Sequence, residues 1–431
     1  MLDGLKRGPG ATLLRDQAHA FGICKDGDED MTEQAPITPA EAAATPLTAA
    51  ELEDLRRLAE ARTARVARLT DEVWAFRLLA RPPIVAESAY YFTFGRRFEA
   101  IPENLFTDPA VMLAHQQRLA YDHLRNVDDD YVPYLLPWFG TGVLASAFGS
   151  KVTFSRAQDP AVDPSWYPVT SVEDIDNLRI PDPERDGLMP DVLRYLRHWR
   201  EHATLPIGIT DMQGPLVTAN QLMGYDQLIY LMYDEPAAAH RLMDKITDGF
   251  IAWVRAQKAV IGEADTFCIS DQQFYVGPHA GVWFSDDDST LVNAEIYREF
   301  VVPYNSRIFK AFGGGFLHYC GNGSHQTDNF LATEGLSGLN VSPMHNLQSL
   351  AELQAKTMGK LVLYVPDFTP VDYGAYADEF ARLIDPRGVV VLSHYSPILG
   401  MLASGRYDAI DRSDNGATDV HRRFVEAFAR V

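Results

Sequence analysis

From Thr48 onward, apolar residues recur at helical spacing: Leu52, Leu55, Leu58, Ala59 and Ala61, then Val66, Leu69, Val73, Phe76 and Leu79. Thr48-Ala49-Ala50-Glu51 has the form of a capping box ahead of this series, and Pro82-Pro83 stops it. Beyond the prolines, short apolar runs alternate with longer helical patterns. The runs fall at residues 84–87, 131–136, 206–211, 266–271, 316–320, 338–342, 360–366 and 389–394. A long amphipathic stretch over 225–261, broken at Asp234-Glu235-Pro236, separates the third run from the fourth. A helical pattern over 293–312 precedes the fifth, and shorter ones at 349–357 and 378–384 fill later gaps. Eight strand–helix units predict the α/β class and a single (β/α)8 barrel, the TIM-barrel architecture. An N-terminal helical extension and a peripheral insertion over 149–202 complete it. The alternative, a doubly wound open sheet, lacks the glycine-rich phosphate loop after its first strand.

Residues 1–48 are rich in Ala, Thr, Pro, Gly, Asp and Glu and show little periodicity. They are expected to be disordered or loosely attached, leaving 49–431 as the barrel domain. Apolar residues make up 46% and charged ones 23%, a soluble globular composition. The formal charge of −21 argues against nucleic-acid and anionic-membrane partners. Only three cysteines occur, Cys24, Cys268 and Cys320, so a reducing compartment is expected rather than a disulfide framework. The chain shows neither an 18-residue apolar run nor the basic start and apolar core of a secretory signal. A cytoplasmic protein acting on a small-molecule substrate is the expectation.

Polar residues collect where the predicted strands end: Glu87, Asp211, Asp271, His318 with Cys320, Ser342, Asp367 and His394. In a barrel, those positions form the catalytic face. His318 and Cys320 stand two apart in Phe316-Leu317-His318-Tyr319-Cys320-Gly321-Asn322-Gly323, and i and i+2 on a strand share a face. An imidazole and a thiolate converging there suit Zn²⁺ with an open position, which would hold an incoming thiol as thiolate. A third ligand is required. His394 is the first candidate, then His345, then Asp271, while His325 offers a further contact from the following loop. Asp211, Asp271 and Asp288 are candidate catalytic carboxylates. Asp288 belongs to Asp286-Asp287-Asp288, where like charges raise at least one pKa and open an acid/base role. Candidate substrate contacts are Glu87, Tyr91, Arg97 and Trp138. Tyr91 and Trp138 could stack on a planar substrate or pack the rim, and Arg97, in Arg96-Arg97, could pair with a carboxylate or phosphate.

These residues resemble the uroporphyrinogen decarboxylase superfamily, over roughly residues 80 to 430. The resemblance rests on Gly214-Pro215-Leu216 with Gln221-Leu222-Met223-Gly224-Tyr225, and on Tyr233-Asp234-Glu235-Pro236. It continues through Asp287-Asp288 with Tyr297-Arg298-Glu299-Phe300-Val301-Val302-Pro303-Tyr304 and Leu317-His318-Tyr319-Cys320-Gly321-Asn322. It implies a (β/α)8 barrel and two activities: decarboxylation of a porphyrinogen, or zinc-dependent methyl transfer from a corrinoid to a thiol. The arginine-containing decarboxylase signature is missing from Glu87-Ser88-Ala89-Tyr90-Tyr91-Phe92-Thr93-Phe94-Gly95-Arg96-Arg97. The methyltransferase branch carries His-x-Cys on its fifth strand, matched by His318 and Cys320, and a later cysteine as third zinc ligand. No cysteine follows Cys320, and Leu392-Ser393-His394-Tyr395-Ser396-Pro397 offers His394 instead. The resemblance therefore implies a methyltransferase-like enzyme with zinc on His318, Cys320 and His394. A corrinoid protein docking over the carboxyl face and a homodimer would be its partners. The alternatives are a metal-free decarboxylase or lyase using Asp211, Asp271 and Arg96-Arg97, and a non-catalytic binding member of the superfamily.

Overall fold

The computed structural model describes residues 46–87, 104–154, 159–270, 274–342, 346–369, 372–395 and 416–431. Asp271, Tyr91, Arg97 and His345, together with Arg96, lie outside the described residues.

The first described helix, Ala49–Trp74, starts at the capping box read from the sequence. Glu51 N–H donates to Thr48 Oγ1 at 3.3 Å, and Glu51 Oε2 accepts from Thr48 N–H at 2.7 Å. The helix buries Leu55, Ala59, Val66, Thr70 and Val73. It stops at Trp74, short of Pro82-Pro83, because Phe76 adopts a φ of 50°, outside the helical region.

Eight strands follow among the described residues. They are β1 (Ile84–Ala86), β2 (Val152–Thr153), β3 (Ala161–Val162), β4 (Val282–Ser285), β5 (Gly315–Cys320), β6 (Leu336–Ser342), β7 (Val362–Thr369) and β8 (Val389–Tyr395). β2 and β3 make a small antiparallel hairpin inside the insertion. The other six form one sheet in the order β1-β8-β7-β6-β5-β4, every pair parallel. Two further segments occupy the remaining places between β1 and β4. Asp130 N–H donates to Ile84 O at 3.0 Å, Leu135 bridges Ile207, and Gln213 bridges Ser285. These bridges place the predicted second and third runs where a barrel needs them. Their brevity explains why the regular ladder stops at six strands.

The fourth predicted strand, 266–271, is corrected. The strand beside β5 is Val282–Ser285, paired from Val282↔Gly315 to Ser285↔His318. Both stretches are short and apolar, so local pattern does not separate them. Close approach decides: a Cβ on Gly281 would lie 1.9 Å from Phe312 O and 2.4 Å from Asp265 O. Only glycine lets the chain enter β4 at that point.

The amphipathic stretch breaks as read, into helices Tyr225–Asp234 and Pro236–Ile261. The longer one buries Leu242, Met243, Ile246, Phe250, Trp253 and Val254. Each such side chain contributes about 1.5–3 kcal/mol of burial. Among the described residues no helix is long and apolar enough to cross a membrane.

Aromatic side chains fill the amino-terminal end of the sheet's inner face. The Trp74 ring meets Phe316 edge-on at 5.4 Å, and Phe316 lies 4.5 Å from Tyr364. Tyr364 O–H donates to Tyr275 O at 3.0 Å. Phe316 shares its face of β5 with His318 and Cys320, so the apolar floor lies at one end and the polar groups at the other.

Candidate functional site

β5 ends at Cys320, and Gly321 turns the chain there at a φ of 91°, a conformation that favours glycine. His318 is buried, while Cys320 is exposed at the strand's carboxyl end. His318 Nε2 lies 3.2 Å from Cys320 Sγ and 3.6 Å from Asp287 Oδ1. Asp287 reaches this point because β4 pairs Ser285 with His318, so the next residues run beside the end of β5. Asp286 N–H continues that ladder to His318 O at 2.7 Å. The Asp287 side chain then caps it, with Oδ1 accepting from Cys320 N–H at 2.8 Å.

One ligand atom each from Asp287, His318 and Cys320 lies within 4.8 Å of the others. The spacing fits a metal. Tetrahedral zinc with bonds of about 2.0–2.3 Å has ligand–ligand edges of about 3.4–3.6 Å, and 3.2 and 3.6 Å separate Nε2 from its two neighbours here. Three ligands of N, S and O type leave a fourth position for water or substrate, the pattern of catalytic sites.

Asn340 sets the imidazole. It pairs with His318 across β5 and β6, and His318 Nδ1 lies 3.0 Å from Asn340 Oδ1. The amide oxygen accepts only, so Nδ1 carries the proton and the Nε2 lone pair can face Cys320 and Asp287. Burial alone would lower the His318 pKa. The charge and hydrogen bond of Cys320, then Asp287 and Asn340, instead raise it to about 10. Asn340→Ala is expected to weaken zinc binding about 10–100-fold, read by competition with a chromophoric chelator.

Burial raises the pKa of three further carboxyls, two of them in the Asp286-Asp287-Asp288 run. Asp211 is buried and accepts from Gln213 Nε2 at 2.6 Å. Burial, with the Asp287 charge adding to it, pushes Asp211 up to about 7. Asp286 accepts from Tyr297 O–H at 2.6 Å and Asn305 Nδ2 at 3.1 Å, yet burial still raises it to about 7. Asp288 accepts from Asn220 Nδ2 at 2.8 Å, and burial raises it to about 6.

The other candidates are placed as follows. His394 is buried with Nδ1 3.2 Å from Glu87 Oε2, the two residues closing β8 and β1 as a buried pair. His394 is not among the three side chains whose ligand atoms converge; Asp287 is. Trp138 is buried and its Nε1–H donates to Asp159 Oδ1 at 2.7 Å. His325 Nε2 sits 3.0 Å from Val292 O, in the loop after the acidic run. A cavity of about 270 Å³ lies beside β5 and β6, walled in part by Tyr319, Val341, Leu350 and Leu353. Strand alternation puts Tyr319 and Val341 on the face away from His318, while Ser342, paired with Cys320 at the end of β6, lines the cavity as well.

The sequence pattern did not single out Asp287 as a residue that could join His318 and Cys320, nor Asn340 beside His318. A β4 at 282–285 would have put Asp287 two residues past a strand end. Asn340 signals itself as a polar residue inside the run Gly338-Leu339-Asn340-Val341-Ser342.

Known proteins bear on this geometry. A methylated-thiol–coenzyme M methyltransferase of Methanosarcina mazei is 29% identical over 194 residues, 44% of this chain and 47% of that protein. A uroporphyrinogen decarboxylase of Halalkalibacterium halodurans is 29% identical over 167 residues, 37% of this chain and 42% of that protein. The chain thus matches about half the length of these curated relatives or less. A solved methyltransferase from Methanosarcina mazei superposes with a TM-score of 0.58 at 15% identity, covering 84% of this chain and 97% of that one, a likeness of fold. The sequence profile described as uroporphyrinogen decarboxylase (URO-D) matches residues 136–365, more than half of the 431. That span holds both the ligand cluster and its supporting strands, and the chain belongs to the uroporphyrinogen decarboxylase (URO-D) family.

Proposed function

We propose that this chain is a methyltransferase-like enzyme that moves a methyl or alkyl group onto a thiol at a zinc centre. Asp287, His318 and Cys320 would hold the metal, and a corrinoid, free or carried by a protein docking over the carboxyl face, would donate the group. The observation that supports this most is the convergence of nitrogen, sulfur and oxygen ligand atoms at an exposed strand end. Zinc in this set would favour the thiolate form of an incoming thiol at neutral pH. The protein's own groups do the rest. Asn340 holds the imidazole in the ligating tautomer. The Cys320 backbone N–H orients the Asp287 carboxylate. Asp211, titrating near neutrality and coupled by charge to Asp287 and His318, is suited to take the proton released by the thiol.

The raised Asp211 also favours a second reading, metal-free decarboxylation with Asp211 as the proton donor. One assay separates the two. Zinc-loaded protein is given methylcobalamin and 2-mercaptoethanol, and the methyl thioether is quantified by mass spectrometry. The proposal expects zinc-dependent turnover that disappears in Cys320→Ser. Thioether no faster than without enzyme, together with carbon dioxide released from uroporphyrinogen, would overturn it in favour of the lyase.

A further inference from the structure

Ser342 ends β6, and its Cα stands directly opposite that of Cys320 in the parallel ladder. Paired residues of parallel strands share a face and lie about 4.8 Å apart across the sheet. Asn340, two residues earlier on that face, already bonds His318. Ser342 does not follow it. The residue is 3% exposed, and its Oγ has no hydrogen-bond partner among the described residues, the sulfur of Cys320 included. A buried hydroxyl without a partner is costly, and such a group in a native protein calls for an explanation, a role at a reacting site among them.

Resting on the zinc–thiol reading above, we propose that Ser342 Oγ–H donates a hydrogen bond to the sulfur of the thiol substrate beside Cys320. A hydrogen bond to a charged acceptor is worth more than one to a neutral acceptor. The anionic sulfur of the substrate therefore gains more from Ser342 than the neutral sulfur of the methylated product. Ser342 would make the site prefer thiol over thioether and ease product release.

The test uses full-length protein with Co²⁺ in place of zinc, titrated with 2-mercaptoethanol and with 2-(methylthio)ethanol as product mimic. Binding is read from the sulfur-to-cobalt absorption band and the d–d spectrum. Ser342→Ala should hold one metal per chain as the wild type does. It should bind 2-mercaptoethanol about tenfold more weakly or worse, with 2-(methylthio)ethanol unchanged within about twofold. Ser342→Thr, which keeps the hydroxyl, should restore the preference. Equal thiol affinity in wild type and Ser342→Ala, with metal bound in both, would overturn the inference and leave the zinc reading standing. A wild type that takes up neither cobalt nor zinc would overturn both.

Discussion

Cys320→Ala and His318→Ala should each lower zinc affinity by at least about 100-fold, exceeding the 10–100-fold typical of supporting residues. The reason is the ligand count. Three protein ligands are the minimum of a catalytic zinc site, and removing one leaves two. Asp287→Ala should also lose most of the bound metal, and it deletes the acceptor of the Cys320 N–H as well. His394→Ala should keep the metal, because His394 lies 3.2 Å from Glu87 and is not one of the three residues whose ligand atoms converge. The four variants are compared by chelator competition at one fixed pH, since protons compete with zinc for these ligands. A far-ultraviolet circular dichroism spectrum unchanged from wild type separates loss of metal from loss of fold. Full zinc affinity in Cys320→Ala would remove the cluster from consideration.

Asp129→Ala should destabilise the protein by about 3–5 kcal/mol, the cost of breaking a buried ion pair from one side. β1 has only three residues, and one of its edges pairs with β8. On the other edge the neighbouring segment supplies carboxylates. Asp129 Oδ2 accepts from Ala86 N–H and Asp130 Oδ2 from Ile84 N–H, both at 2.9 Å. Arg62 at 2.8 Å and His123 at 3.2 Å balance Asp129, and Arg81 pairs with Asp130. Burial works against ionisation of both acids. For Asp129, His123, Arg62 and the Ala86 N–H outweigh it; for Asp130, His421, Arg81 and the Ile84 N–H do. Both carboxyls therefore sit below the ordinary range. A depressed folded pKa stabilises above the unfolded value of about 3.9 and is lost as pH falls through the folded one. The gap in urea midpoint between wild type and Asp129→Ala should hold steady above about pH 5 and narrow below about pH 4. A gap that widens on acidification would contradict this account of how β1 is held.

Much of the barrel was legible because apolar runs and helical stretches alternate along the chain, and because Asp234-Glu235-Pro236 marks a helix break without ambiguity. His318 and Cys320 were legible for a related reason, since a two-residue period at a strand end fixes a shared face. What the pattern did not carry was pairing. The choice between 266–271 and β4 depends on backbone contacts at Gly281 that no local periodicity encodes. That one displacement hid Asp287, whose place beside Cys320 follows from the register of β4 on β5. His394 is a polar residue at another strand end. Its buried pairing with Glu87 rests on the contact between β8 and β1, elements about 300 residues apart in sequence. The second and third runs have the apolar pattern of full strands. They survive as single bridges where side chains take backbone partners instead: Asp129 and Asp130 bond Ala86 and Ile84 of β1, Gln116 bonds Leu136, and Gln257 accepts from Thr210 N–H.

X-ray absorption fine structure at the zinc edge of the metal-loaded wild-type protein bears most directly on the central claim. The account predicts one zinc with a single sulfur at about 2.3 Å and nitrogen or oxygen neighbours at about 2.0–2.2 Å, the sulfur signal vanishing in Cys320→Ala. A wild type that holds no zinc, or a zinc shell containing no sulfur, would contradict it.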